Sequence, residues 1–335
     1  MSVRETLVKH LSSIIRSSKA TIMALLSDEN GLSIAKTGRS TDLILDSSAI
    51  TSVSSAAFSS SEENWTDLGI RDQIIAFSFF EKICLITVRI HQTLLTIVHD
   101  YNMEWPLNAD NIGSSIYHLR REIHNFFGTG EISEEELEIF SNNVRSAIYL
   151  SCMGTEIPLT SYTPSDYQSR ELNQNISHIL DSIQNPIFIQ YGLVNSSGLT
   201  IDARDLSPDD VSLLSVDAFS ANANVGFQKM IEEADSMNIG GLISYFCVSG
   251  PDPDNFYGIL SNPCGKLHFK DPASGSEIIL PVSFVCLFPM MYGAVPILCE
   301  ARNIVRSILD VIGPDHITEK FINSVNVIVS SKYEE

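Results

Sequence analysis

The sequence predicts an α/β protein, an α+β sandwich built from two tandem modules, and three observations carry this prediction. One order of elements, namely helix, hairpin, helix, three-strand meander and helix, runs through residues 1–127. The same order restarts at residue 171. Both copies contain a polar turn followed by Gly-Leu-Ser/Thr-Ile, at 31–34 and 198–201. We therefore expect two mainly antiparallel five-stranded sheets, the second of them extended.

The first copy is predicted from apolar periodicity and turn residues. Val3, Leu7 and Leu11 fall on one face of a helix, and Asn-Gly at 30–31 between two apolar runs is typical of a hairpin. Asn108 is a good N-cap for the last helix of this copy. The predicted elements are helix 3–16, strands 21–27 and 32–37, helix 44–61, strands 73–80, 83–90 and 93–98, and helix 108–127.

The second copy follows a connector and is longer than the first. Segments 250–254 and 262–265 hold Gly and Pro, and they are predicted as long loops or an extra hairpin. The predicted elements are helix 131–150, linker 155–169, helix 172–183, strands 187–194 and 199–203, helix 209–226, strands 241–249, 256–260, 266–269 and 277–288, helix 300–312 and a final helix 318–329. We expect modules at 1–127 and 171–313, a helical connector with its linker at 128–170, and a C-terminal helix at 314–335.

Charge and hydropathy limit the classes of partner. The chain has 335 residues, 44% of them hydrophobic, and a formal net charge of −20. This acidity disfavours nucleic acid and an anionic membrane surface as partners. The sequence shows no targeting segment and no apolar run long enough to span a membrane. We therefore expect a cytoplasmic protein without direct membrane insertion.

The patterns for catalysis and metal binding are incomplete, so we expect no enzyme activity, no catalytic residue, no cofactor and no metal site. The Gly-Lys at 265–266 lacks the earlier glycine and the Ser/Thr of a phosphate-binding loop. Asp252 and Asp254 lack the following Gly and the distal Glu of a calcium loop. The six cysteines form no Cys-x-x-Cys pair, which favours free buried thiols over zinc.

These elements together resemble the roadblock family (roadblock and dynein light chain, within the roadblock/longin superfamily). The resemblance is carried by helix 3–16, the Asp-Glu-Asn-Gly-Leu-Ser-Ile-Ala turn and strand at 28–35, the small-residue helix 44–61, the meander 73–98 and helix 108–127. It implies non-enzymatic modules that dimerise by joining sheet edges, with their central helices side by side. It also implies binding to small Ras-like GTPases, as scaffolds, activators or structural parts. The acidic tandem arrangement is similar to proteins of prokaryotic or archaeal GTPase systems.

The central helices are the predicted partner interface. We expect helices 44–61 and 209–226 to pack together, in cis or in trans, because small side chains let two helices approach closely. A Ras-like GTPase would then bind across their exposed faces. The predicted interface residues are Asp46, Ser47, Thr51, Ser54, Ser55, Asp217, Ser220 and Asn224.

Two other classes of function stay open at this point. A PAS-like sensor would enclose a small molecule in the second module, in a pocket lined by Phe256, Tyr257, Phe269 and Tyr292. A purely structural scaffold would bind its partner whatever the nucleotide state. Another roadblock protein, or a second copy of this chain, is a further candidate partner.

Overall fold

Helices and strands alternate along the chain in two similar rounds. A computed structural model describes residues 2–41, 43–105, 107–128, 130–155, 157–161, 171–183, 185–207, 214–270 and 274–330. The helices are α1 (Val3–Arg16), α2 (Ser47–Asp67), α3 (Ala109–Phe127), α4 (Glu134–Ser151), α5 (Leu172–Asp181), α6 (Val216–Ala223), α7 (Val225–Met237), α8 (Ala294–Ile312) and α9 (His316–Ser330). The strands are β1 (Thr21–Asp28), β2 (Ser33–Gly38), β3 (Gln73–Phe80), β4 (Cys84–Ile90), β5 (Thr93–His99), β6 (Gln190–Asn195), β7 (Thr200–Asp205), β8 (Leu242–Ser249), β9 (Tyr257–Lys270) and β10 (Glu277–Pro289).

The starts of α1, α3 and α4 coincide with side chains that accept hydrogen bonds from free backbone N–H groups. Ser2 and Glu5 form a reciprocal capping box at α1, and Ser133 and Glu136 form another at α4. The side chain of Asn108 accepts a hydrogen bond from the N–H of Asn111, so the predicted cap of α3 is confirmed. These caps locate the first turns from local sequence alone.

The ten strands among the described residues join one antiparallel sheet. Their order is β2-β1-β5-β4-β3-β8-β9-β10-β6-β7. The N-terminal half (β1–β5) and the C-terminal half (β6–β10) therefore present the same order in opposite directions. The predicted α/β fold class, with its sequence of helix, hairpin, helix, meander and helix, is confirmed in both halves.

Strands β3 and β8 join the two halves edge to edge. Phe77 pairs with Phe246, Ile75 with Val248 and Phe79 with Ser244. This register is symmetrical about Phe77 and Phe246, so a pseudo-twofold axis passes between them. Each half closes the sheet edge that the other half would otherwise leave open.

The repeated turn motif occupies the same place in both halves. The β1–β2 pairing shifts register between Leu26 and Ser27, and the β6–β7 pairing shifts between Leu193 and Val194. The glycine of each motif, at 31 and 198, has a φ of 80° or 79°, which glycine adopts without a Cβ clash. Ser27 and Val194 are therefore equivalent positions.

Two helical layers cover the two faces of the sheet. The layer of α2, α6 and α7, here called the paired-helix layer, packs over one face around Phe58, Trp65 and Phe227. Helices α1, α3, α4, α5, α8 and α9 cover the opposite face, around Phe77 and Phe246. Because both faces are covered, the central strands are apolar on both sides, and β8 is buried along its whole length.

Helix α4 lies in the predicted connector and packs as part of the core. Ser141 of α4 donates a 2.7 Å hydrogen bond to the carbonyl of Gly113 in α3. The guanidinium of Arg120 lies 3.9 Å from the ring centroid of Phe140. Helix α4 also contacts β3 and α8, so it spans the junction of the halves. Residues 162–169 of the predicted linker lie outside the described residues.

The central helix of the second half differs from its prediction. The helix expected at 209–226 is interrupted at Asn224, and α7 extends it to Met237. The buried side chain of Asn224 donates a 3.3 Å hydrogen bond to the carbonyl of Asn195, which ties the interruption to β6. Residues 209–213 lie outside the described residues.

Two further boundaries were also misplaced. Residues 262–265, predicted as a loop, lie in the middle of β9. Pro263 is tolerated there because the pairing with β8 ends at Ser261, so no N–H is needed toward that strand. Helix α8 begins at Ala294 and not near residue 300, and Pro296 occupies its first turn, where its missing N–H has no cost.

Candidate partner-binding surface

The central helices pack against each other within this one chain, chiefly through α2 and α7. A Cβ atom placed on Gly226 of α7 would lie 3.2 Å from the carbonyl oxygen of Ala57 and 3.2 Å from the Cβ of Ser61. Such an approach is available only where a side chain is missing. The predicted helix pairing therefore occurs in cis, and most of it lies beyond residue 226.

A buried hydrogen-bond network ties the paired helices to the β3–β8 seam. The Ser61 hydroxyl lies 2.7 Å from Gln73 Oε1 and 2.9 Å from the hydroxyl of Tyr245. The indole N–H of Trp65 donates to the same Gln73 oxygen at 3.1 Å. Burial raises the pKa of the Tyr245 phenol well above its ordinary value, so this group stays a neutral donor. The network fixes α2 relative to both halves of the sheet.

Burial divides the predicted interface residues. Asp46 and Asp217 are exposed and Ser47 is half-buried. The Asp46 carboxylate accepts hydrogen bonds from the N–H groups of Ser48 and Ala49, so it acts as the N-cap of α2.

The other five predicted residues do not lie on an exposed face, and this expectation is wrong for them. They are all buried: Thr51, Ser54, Ser55, Ser220 and Asn224. The hydroxyl of Ser55, for example, lies 3.3 Å from that of Ser27 in β1. Small side chains mark the places where backbones approach closely, and here that approach is made inside the chain. They are therefore packing residues, and a partner cannot reach them.

The outward face of the paired-helix layer consists of residues that the sequence reasoning did not select. Ser48, Ser52 and Ala56 follow one another at i, i+4 spacing on α2, and all three are exposed. Gly31 lies against α2, since a Cβ on it would come within 2.6 Å of the Cα of Ser52. The β1–β2 turn therefore borders this face.

Two equivalent leucines lie exposed beside the paired-helix layer. Leu32 is 69% exposed and Leu199 is 67% exposed. Both directly follow the turn glycine of the repeated motif. The Thr200 hydroxyl, 3.4 Å from the carbonyl of Asp217, places the second turn beside α6. The repetition of Gly-Leu after a polar turn was visible in the sequence, but the exposure of the leucine was not.

The charged residues on this side leave it acidic. Arg89 is held by Glu62, at 2.9 Å and 2.7 Å, and by Glu29 at 2.8 Å. Burial raises the pKa of the Glu62 carboxyl, and Arg89 acts in the opposite direction. Arg89 is thus paired within the chain, as is Lys229 of α7 with Glu232 at 3.7 Å, while Glu63 and Glu233 are exposed on the layer. An acidic, small-residue surface suits a basic partner.

The side chains that could act as nucleophiles or metal ligands are mostly buried or do not form clusters. Burial raises the pKa of four thiols, those of Cys84, Cys247, Cys264 and Cys286, which opposes formation of the reactive thiolate. Asp252 accepts a 3.1 Å hydrogen bond from the N–H of Asp254 and so closes a local turn. Within the described ranges, no group of three or more His, Cys, Asp or Glu side chains is placed to hold a metal ion. None of the helices in the described part of the chain is long and apolar enough to cross a membrane.

The aromatic residues predicted to line a sensor pocket do not converge. Phe256 packs in the core on the α8 side of the sheet, with Tyr292 against the same core. Tyr257 contacts the core on the α2 side. Neighbouring residues of an extended chain point to opposite faces. The prediction of a pocket shared by Phe256 and Tyr257 is therefore wrong. The side chain of Phe269 lies outside the described residues.

Comparison with known proteins gives structural neighbours only. No protein-family model and no curated protein matches the chain. The gliding protein MglB from Thermus thermophilus is 14% identical, with 37% of this chain and 90% of that chain covered and a TM-score of 0.32. A Roadblock/LC7 domain from Streptomyces avermitilis is 15% identical, with coverages of 36% and 97% and a TM-score of 0.31. MglB of Myxococcus xanthus is 16% identical, with coverages of 39% and 99% and a TM-score of 0.33.

Proposed function

We propose that this chain is a non-enzymatic interaction protein that binds a small Ras-like GTPase and regulates it or holds it in place. The observation that carries the proposal is the paired-helix layer, assembled across the β3–β8 seam within one chain. The roadblock resemblance of the sequence implies paired central helices and GTPase binding, and we expect the GTPase to lie across the exposed faces of these helices. A single chain of this kind supplies that element without a second subunit.

The domain organisation and location belong to the same proposal. We take residues 1–127 and 171–313 as the two modules, 128–170 as the connector and 314–335 as the C-terminal helix. Helix α4 of the connector contacts both halves, which favours a fixed arrangement of the modules. A Ras-like partner would meet the protein in the cytoplasm. Another roadblock protein or a second copy of this chain would be an additional partner.

The binding site in this proposal is the outward face of the paired-helix layer and the turns that border it. Small side chains at Ser48, Ser52 and Ala56 allow a partner backbone to approach closely. Leu32 and Leu199 offer exposed apolar side chains next to that surface. A contact core of apolar groups surrounded by polar ones is the usual anatomy of a protein interface. Exposed acids around it would steer a basic switch region toward the site.

The experiment is a binding titration of the intact chain against small GTPases of the same genome, each loaded with GDP or a GTP analogue. We expect one GTPase to bind with an affinity that differs between the two nucleotides. The association rate should fall as salt is raised, because long-range attraction is screened. Binding that is equal in both nucleotide states would favour a structural scaffold, and no binding to any of the GTPases would contradict the proposal.

Two matched arginine variants locate the site. Ser52→Arg adds a bulky cation to the exposed face of α2, and Ser114→Arg adds the same side chain to an exposed position of α3 on the opposite face of the sheet. We expect Ser52→Arg to weaken binding at least tenfold and Ser114→Arg to leave it unchanged. The reverse result would place the partner on the α3 face. The earlier candidates Ser54 and Ser220 are unsuitable, because they are buried and their replacement would disturb the fold.

A further inference from the structure

The pseudo-twofold axis allows the two halves to be compared residue by residue. The spacing along the chain from Phe77 back to Phe58 equals that from Phe246 back to Phe227, with no insertion between them. By the same spacing Glu62 corresponds to Ile231, and Trp65 to Ala234. Gln73 corresponds to Leu242. The contact of Gly226 with Ala57, its own equivalent, agrees with an axis that passes between α2 and α7.

Strand register extends the comparison to β4 and β9. Leu94 of β5 pairs with both Ser27 and Arg89. In the second half, Ser283 of β10 pairs with both Val194 and Pro263. Because Ser27 and Val194 are equivalent, Arg89 corresponds to Pro263.

In the first half, the space between α2 and the end of the sheet is filled by large side chains. Trp65 is fully buried and donates its indole N–H to Gln73. The guanidinium of Arg89 lies 5.5 Å from the ring centroid of Phe58 and is held by Glu62. An aromatic ring and a paired cation together occupy this space.

In the second half, the equivalent residues leave the space empty. Trp65 is replaced by Ala234, Arg89 by Pro263 and Gln73 by Leu242. A cavity of about 290 Å³ lies there, and all five equivalents are among its lining residues: Phe227, Ile231, Ala234, Leu242 and Pro263. Val282 adds a further apolar wall. Loss of the indole and of the ion pair thus converts a filled, partly polar region into an open apolar one.

The size and lining of the cavity select its ligand. An apolar cavity of about 150 Å³ is enough to bind benzene, so this one has room for a bicyclic ring. Its charged lining groups, Lys266 and Asp315, form a pair at 2.9 Å and offer no net charge to a ligand. Gln228 and Ser283 add uncharged polar groups to the lining. A neutral aromatic molecule of about the size of indole, the group that fills the equivalent space in the first half, matches these features.

We propose that the cavity between α7 and the ends of β8, β9 and β10 binds a small, uncharged, aromatic molecule, which makes the second half a ligand site that the first half lacks. This site goes beyond the proposed GTPase interface, and its lining includes none of the residues named for that interface, which are Leu32, Ser48, Ser52, Ala56 and Leu199. Binding there stabilises the folded chain, because the ligand buries apolar surface of Ile231, which is 41% exposed and otherwise meets water.

The test is a titration of the intact chain with indole, followed by NMR of ¹³C-labelled Ile, Leu and Val methyl groups. We expect saturable shifts of the methyl groups of Ile231, Leu242 and Val282, and none at the equivalent region around Trp65. Indole should also raise the unfolding temperature. Absence of saturable shifts up to the solubility of indole would overturn the proposal.

Cavity-filling variants provide the control. Ala234→Phe occupies the cavity and should weaken indole binding at least tenfold, while Ser236→Phe, at an exposed position of the same helix, should bind indole like the unaltered chain. Ile231→Trp, at a position 41% exposed, is a second filling variant in case Ala234→Phe folds poorly. Unchanged binding in a folded filling variant would place the indole elsewhere and refute the site.

Discussion

Phe77 of β3 and Phe246 of β8 stack across the seam, with ring centroids 5.7 Å apart and ring planes inclined by 21°. The pseudo-twofold axis passes between these two residues, so each contacts its own equivalent. They are 0% and 4% exposed. A seam with a buried aromatic pair at its centre resembles a protein core more than a separable domain contact, so we expect the two halves to unfold together.

Removal of one ring at the seam should destabilise the whole chain. Phe246→Ala leaves a cavity beside Phe77, and we expect a loss of about 3–5 kcal/mol in the free energy of unfolding. Urea unfolding followed by far-UV circular dichroism measures it. Phe126→Ala, at an exposed position of α3, is the control and should cost less than about 1 kcal/mol. Two separate transitions in the unaltered chain would show that the halves are independent.

Gly226, at the contact between α2 and α7, is a second position where a substitution should lower stability. A Cβ on Gly226 would lie 2.9 Å from Cε1 of Tyr245, which is buried beneath it. Gly226→Val should therefore cost about 1–3 kcal/mol through overpacking, measured by the same unfolding assay. Ser236→Val places the same β-branched residue on the exposed side of α7. It should change the free energy of unfolding by less than about 0.5 kcal/mol. Equal effects of both variants would mean that the close approach at Gly226 does not set the cost, since valine is a better helix former than glycine.

The Tyr245 hydroxyl should contribute modestly to the free energy of unfolding. It lies 2.9 Å from the Ser61 hydroxyl and 3.3 Å from the carbonyl of Ala57. In Tyr245→Phe, Ser61 keeps the carbonyl of Phe58 and Gln73 Oε1 as acceptors. We expect a loss of about 1 kcal/mol, the usual net value of one buried hydrogen bond. Thermal unfolding of both proteins measures the difference, and a gain in stability for the variant would contradict the assigned network.

The buried carboxyl of Glu300 should make stability depend on pH. Burial raises its pKa above the ordinary value of 4.5, although the hydrogen bond from the N–H of Thr160, at 3.0 Å, acts in the opposite direction. The folded chain then binds this proton more tightly than the unfolded chain does. The charged form of Glu300 therefore opposes folding above its folded-state pKa, and this penalty disappears below 4.5.

Glu300→Gln removes that penalty while it keeps an acceptor for Thr160. We expect the variant to be more stable than the unaltered chain at pH 8, and the difference to shrink as the pH falls toward 4.5. Urea unfolding at pH 8, 7, 6 and 5 follows this trend. The exposed Glu138→Gln serves as the control, and a difference for Glu300→Gln that grows on acidification would show that the sign is wrong.

Much of the first half could be predicted from local signals. Asn108 caps α3 as expected, and the meander strands differ from the predicted ones by one residue or less. In the second half the same reasoning failed at 262–265, where Asn, Pro and Gly indicated a turn. Pairing of β9 with β10 on both sides of Pro263 overrides that preference, because the ladder bonds of a long hairpin outweigh the propensity of a few residues.

Local pattern by itself determined most of the elements, their order and their repetition, because periodicity and turn residues act over a few neighbours along the chain. Only the tertiary structure decided that β3 and β8 pair in cis, which depends on contacts between residues far apart in sequence. It also decided which small residues face inward. Ser54 and Ser52 are equally small and polar, yet one is buried and the other exposed, since the packing of α2 on the sheet and on α7 sets its rotation. The cavity beside Ala234 likewise exists only because the surrounding elements do not move in to fill the space that Trp65 fills in the first half.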